Sequence, residues 1–345
     1  MKKRIIGLDI LRVLGIIFIF CYHFTDSYIA LGGTGASVFN VLSFFSLMSR
    51  PASLLLFIIS GFALMYNSED KLSLKDYFKK RFKGLYIPFY VAYFLILGIG
   101  VVLLKWSPWR VVPKRNFAYT ILGIDGLAAN FGPNYYIIGE WFMSCIVVCY
   151  FLFPLLAIGY RRFKYLTLSV LLFIYILLAY RVNPFPMAVF INPLFILTYF
   201  YLGMILHDRL AEGKTKKRLK MICIAVSAII LIYAVLEFLF TSNRLLPLSE
   251  TGSEIMCACW SLALIIALRD VELSEGSLML KIIKYISGIS WYFILVHHVI
   301  AIIYFNIRGI SSFVLFDFLI ILIMSIILAT IVKKISQLIW NLLRL

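Results

Sequence analysis

The chain has 345 residues, of which 63% are hydrophobic and 14% charged, with a mean hydropathy of +0.98. A composition this apolar at this length excludes a soluble globular domain and describes a polytopic membrane protein. Lys and Arg outnumber Asp and Glu by 33 to 16, a formal charge of +17, but in a membrane protein such a surplus reports topology through where the charges fall, and no nucleic-acid partner is expected.

In chain order, apolar runs of spanning length predict about ten helices, over residues 5–25, 50–67, 85–104, 137–158, 165–181, 188–207, 219–241, 253–269, 285–305 and 313–333. The expected fold is therefore an all-α membrane bundle of about ten transmembrane helices, one domain over 1–345 with no fused soluble domain. An even count places both termini on one side. With the N-terminus inside, the inner segments carry 24 Lys and Arg and the outer ones 8, an asymmetry that puts both termini in the cytoplasm of a multi-pass cell-membrane protein.

The first run, "RIIGLDILRVLGIIFIFCYHF", follows MKKR as a signal peptide would. Asp9, Arg12 and His23 interrupt its apolar core and it is too long, so a retained helix is expected. At 100° per residue these three side chains fall on one stripe, and at 1.5 Å per residue Arg12 and His23 stand about 16 Å apart along the axis. Asp9 and Arg12, three residues apart, are expected to pair, which lowers the cost of placing either in hydrocarbon. His23 serves a different, outer depth.

The second helix contains "FIISGF", where Ser60 and Gly61 permit close helix approach, and the basic "FKKRFKGLYIPFY" that follows brings Arg81 to the same inner end as Arg12. Beyond the third helix lies "KWSPWRVVPKRNFAYTILGIDGLAANFGPNYY", long and rich in aromatic residues. It reads either as a re-entrant or interfacial lid over a polar cavity or as an aromatic belt on lipid headgroups. The fourth helix begins "GEWF", placing Glu140 and Trp141 near its outer end, and the ninth carries His297 and His298 in "ISWYFILVHHVI". His23, Glu140 and His297 are thus candidates for one outer-half cavity, with Arg12, Arg81 and Ser60 at the inner end. A basic inner end and an imidazole-bearing outer half suggest an anionic donor held inside and a nucleophile met outside. The six cysteines sit in apolar stretches with no CxxC pair, and no metal site is expected.

At these residues the sequence resembles integral membrane acyltransferase family 3. The first-helix form R..G.D.LR followed by H matches Arg4, Gly7, Asp9, Arg12 and His23. The order continues through "LLFIISGFAL", "FKKRFKGLYIPFY", "GEWFMSCIVVCYFLFPLL" and "ISGISWYFILVH" over nearly the whole chain. The resemblance departs near Gly84, where a second arginine is usual, and at Ile146, where a glutamate often follows the fourth-helix tryptophan; Glu140, just before Trp141, is the candidate substitute.

The resemblance implies a membrane O-acyltransferase, with O-acetyl transfer expected. Acetyl-CoA or another acyl-CoA would be the cytoplasmic donor, and a hydroxyl of a cell-surface polysaccharide or lipid-linked glycan precursor the acceptor. His23 would be catalytic, Arg12 and Arg81 would hold the CoA phosphates with Ser60 nearby, and Asp9 and Trp141 would orient the site. Glu140 and His297 are further catalytic candidates, and a homo-oligomer or a separate extracellular partner would complete the assembly. The competing reading is a transporter or flippase for a glycan precursor, which calls for inverted repeats or broken helices in two halves; neither is visible in the sequence. A purely structural partner would not explain three ionisable residues on one stripe.

Overall fold

The computed structural model describes residues 4–33, 37–68, 73–180, 187–188, 191–210, 215–239, 250–310 and 313–343. The helices are α1 (Ile6–Ala30), α2 (Ser37–Leu47), α3 (Ser49–Asn67) and α4 (Leu74–Arg81), which continues through a π turn (Phe82–Tyr86) into α5 (Ile87–Leu104). After the short α6 (Phe117–Leu122) and α7 (Asp125–Ala128) come α8 (Glu140–Tyr180), α9 (Pro193–Leu210), α10 (Lys217–Leu239), α11 (Glu250–Leu268), α12 (Leu278–Arg308) and α13 (Val314–Leu342). Among the described residues seven helices are long and apolar enough to cross a membrane, and the two apolar helices Pro193–Asp208 and Ser253–Leu268 are shorter. The protein is an all-helical, multi-pass membrane protein.

Two expected boundaries move for identifiable reasons. The fourth and fifth predicted helices form one element, α8, broken at Phe163 (φ −142°, ψ 47°). The break turns the chain back: a side chain on Gly159 would run into Thr167 Oγ1, whereas eight residues of continuous helix would separate the two by about 12 Å. The sixth helix starts at Pro193 and not at 188, because Asn192 Oδ1 accepts the Leu194 N–H at 3.0 Å and proline suits a first helical position.

Small residues decide which helices lie closest. A Cβ on Gly61 would sit 1.9 Å from the carbonyl oxygen of Phe200, and one on Gly203 would sit 1.9 Å from that of Ile58. Thus α3 and α9 meet backbone to backbone, the close approach anticipated from "FIISGF". Gly7 does the same for α1 against the carbonyl of Leu268 at the end of α11. Helix α1 is central, packing on α2, α3, α11 and α12. It runs parallel to α12, since Asp9 meets Ser287 at one end and Phe24 meets Phe305 toward the other.

The aromatic connection after α5 folds back along that helix. Tyr86, Tyr90 and Tyr93 donate hydrogen bonds to the carbonyls of Leu122, Ile121 and Tyr135 at 3.0, 2.5 and 2.9 Å. Leu122 therefore lies beside the first turn of α5, about 27 Å from its far end at 1.5 Å per residue. These three hydroxyls tie carbonyls of the connection to the face of Tyr86, Tyr90 and Tyr93, so the segment folds back along the helix.

Candidate functional site

The charged end of α1 is organised by Asp9, whose side chain is 1% exposed. Its carboxylate accepts from Arg4 Nε at 2.5 Å, from Arg12 Nη1 at 3.1 Å and from the Ser287 hydroxyl of α12 at 2.7 Å. The expected Asp9–Arg12 pair is present, and sequence spacing missed two of the partners. Arg4 lies five residues away, just before the helix, and Ser287 is far along the chain. With three donors on one buried carboxylate, Asp9 holds Arg12 in place and ties α1 to α12.

Arg12 opens into a cavity of ≈ 300 Å³ whose walls include Ser60, Asn67, Arg81, Tyr150 and Trp291. The tertiary structure thus brings Arg12, Arg81 and Ser60 together from α1, the α4 terminus and α3. The Arg81 guanidinium lies over the rings of Tyr77 and Tyr150, with its carbon 5.7 and 5.5 Å from their centroids. Tyr150 is fixed in turn: its hydroxyl is 2.8 Å from Ser60 Oγ, and its carbonyl accepts from Tyr77 at 2.7 Å. Arg81 Nε and Trp291 Nε1 are buried N–H donors without a hydrogen-bond partner among the described residues. Two arginines and the unspent donors of Arg81 and Trp291 around a polar cavity suit an anionic group carrying several oxygens. Tyr150 and Trp291 were not singled out from sequence, since an aromatic residue in an apolar run carries no mark of facing a cavity.

Farther along α1, a second and much tighter cavity of ≈ 30 Å³ is bounded by His23, Ser53, Trp141, Phe142, Ile294 and His297, with Ile19 and Gly139 completing it. The rings of His23 and His297 are 5.1 Å apart and edge to face, and His298 stacks on His23 at 4.2 Å. His297 is 2% exposed and packs flat on Phe293 at 5.2 Å. Its Nδ1 lies 3.0 Å from the carbonyl oxygen of Phe293 and 3.1 Å from that of Ile294. Carbonyls only accept, so Nδ1 carries the proton and Nε2 is left as a lone-pair acceptor. That Nε2 is buried without a hydrogen-bond partner among the described residues.

Trp141 therefore joins His23 and His297 at one cavity, whereas the side chain of Glu140 lies outside the described residues and only its place at the start of α8 is given. His298, treated in the sequence as the neighbour of His297, is the closer ring to His23. Among the described residues no group of three or more His, Cys, Asp or Glu side chains is arranged to hold a metal ion.

The two cavities share Phe142 and Ile294 as walls. They form consecutive stations on the stripe of α1, with arginines at one and imidazoles at the other. Compared with known proteins, residues 5–334 match the family described as an acyltransferase domain. No curated protein matches the chain, and no solved structure does.

Proposed function

The chain belongs to the integral membrane acyltransferase family 3, and from that premise we propose that it is an O-acetyltransferase of glycans. It moves an acyl group from cytoplasmic acyl-CoA to a hydroxyl of a cell-surface polysaccharide or its lipid-linked precursor. Family membership supports acyl transfer across most of the chain and favours it over the flippase reading. The observation that carries the assignment of roles is the shared wall between the Arg12–Arg81 cavity and the His23–His297 cavity.

In this reading Arg12 and Arg81 bind the phosphates of the donor, since a guanidinium stays charged in a low-dielectric site and pairs bidentately with phosphate oxygens. Both termini and the arginine end of α1 face the cytoplasm, as the distribution of Lys and Arg favours. The thioester carbonyl reaches past Phe142 and Ile294 to the imidazoles. His23 takes the proton of the acceptor hydroxyl as its oxygen attacks the carbonyl; the C–O bond forms, the C–S bond breaks and the proton passes to the leaving thiolate. His297, its Nδ1–H committed to backbone, accepts a hydrogen bond at Nε2 and orients the hydroxyl. Trp141 closes the cavity beside them. In a two-step variant His23 carries the acyl group itself and then transfers it, and an acyl-imidazole labelled in the absence of acceptor separates the two routes.

The test compares the O-acyl content of surface glycans from cells with the wild-type chain, a deletion, and His23→Ala at equal expression. The expected result is loss of an ester in the deletion that His23→Ala does not restore. Full restoration by His23→Ala refutes the role of His23, and unchanged ester content in the deletion refutes the function.

A further inference from the structure

The two cavities differ about tenfold in size, ≈ 300 against ≈ 30 Å³, and Phe142 and Ile294 stand where they meet. We infer that Phe142 and Ile294 form a size filter that favours short transferred acyl groups, acetyl above longer chains. The inference rests on the proposed acyl transfer at His23 and names the donor class that the site accepts.

Volume is the first argument. The imidazole cavity has about a tenth the volume of the arginine cavity, so an acyl chain extended past its carbonyl meets the walls there, while the larger cavity upstream leaves space for the rest of the donor.

Rigidity is the second. Phe142 is 9% exposed, and its ring lies 4.4 Å from that of Phe57 and 6.0 Å from that of Trp141. On the side away from the cavities these rings hold it against the packed core. Ile294 is β-branched and stiff at its first side-chain torsion in a helix. Its carbonyl is one of the two that hold His297, and Phe293 beside it packs on Phe20 at 5.8 Å and on His297. A wall made of such residues excludes by shape, and a single methylene in a fitted apolar pocket discriminates by about 10–200-fold.

The experiment uses membrane vesicles from cells expressing the full chain, supplied with acetyl-, propionyl-, butyryl- or hexanoyl-CoA labelled in the acyl group. Base-labile label on vesicle-associated glycan is the readout. The wild type is expected to favour acetyl over hexanoyl by at least about a hundredfold. Ile294→Val, Ile294→Ala and Phe142→Leu are each expected to narrow that ratio by about tenfold or more, whatever their absolute rates, and Ile294→Phe to widen the acetyl-to-propionyl ratio. Ile294→Val removes one methyl group and keeps the helix, so it decides the question if the larger changes fail to fold. A wild type that transfers hexanoyl as readily as acetyl, or an acyl profile left unchanged by every folded variant, overturns the filter. His23→Ala with wild-type transfer of every acyl group would instead overturn the assignment of chemistry to His23, so the two failures are distinguishable.

Discussion

The arginine cavity and the histidine cavity lie along one helix yet are built on opposite principles. Around Arg12 the protein gathers permanent charge, hydroxyls and open volume, and anchors them from behind through Asp9. Around His23 it gathers imidazole and aromatic rings in a small space. The first arrangement suits binding, because fixed cations hold an anion with little reorganisation. The second suits proton transfer, because an imidazole works close to neutrality and its geometry must be tight. On the proposed function, separating the two along α1 would let one helix hold a large charged donor at one depth and carry out chemistry at another.

The contrast predicts an ordered series of effects. Replacing His23 by Ala is expected to lower acyl transfer by about 10²–10⁴-fold with little change in donor binding, checked by single-turnover label transfer beside equilibrium binding of acyl-CoA. Asp9→Ala strikes the other region and acts first on folding. It leaves Arg4 and Arg12 without their buried counter-ion, but both arginines keep some exposure, so a loss of about 1–3 kcal/mol is expected, read as a fall in the unfolding midpoint in detergent.

Arg81→Lys keeps the charge but loses the planar fork and the stacking over Tyr77 and Tyr150. It is expected to raise KM for acyl-CoA about tenfold while kcat changes less. A kcat loss without a KM change would move Arg81 out of the binding region. His297→Gln preserves an acceptor near the Nε2 position and is expected to retain more activity than His23→Gln, by about tenfold. The smallest effect is assigned to His298→Phe, which keeps a flat ring against His23. Activity within about threefold of wild type is expected, and a loss as large as that of His23→Ala would make His298 a participant in proton transfer.

Part of this site was legible in the sequence because an ionisable residue in an apolar run stands out against its cost, about 2.5–3.5 kcal/mol at the bilayer centre on insertion scales. Asp9, Arg12, His23 and His297 were found that way, and helical periodicity alone aligned the first three. The same logic misses Trp291, Tyr150, Phe142 and Ile294, since aromatic and aliphatic side chains are ordinary in a spanning helix whether they face lipid, core or cavity. Nor did it reveal that the aromatic connection folds back along α5, a course set by the hydroxyls of Tyr86, Tyr90 and Tyr93 bonding to carbonyls distant in sequence.

By itself the sequence determined the class of protein, the approximate positions of its helices and the stripe on α1, because hydropathy and the 3.6-residue repeat are local properties of the chain. Only the tertiary structure decided that Arg12 and Arg81 share a cavity, that Ser287 completes the shell of Asp9, and that α3 lies backbone to backbone with α9. Those outcomes depend on which helix faces meet, and inside a membrane, where lipid is as apolar as the packed core, that choice rests on small residues and a few buried hydrogen bonds spread far apart along the chain.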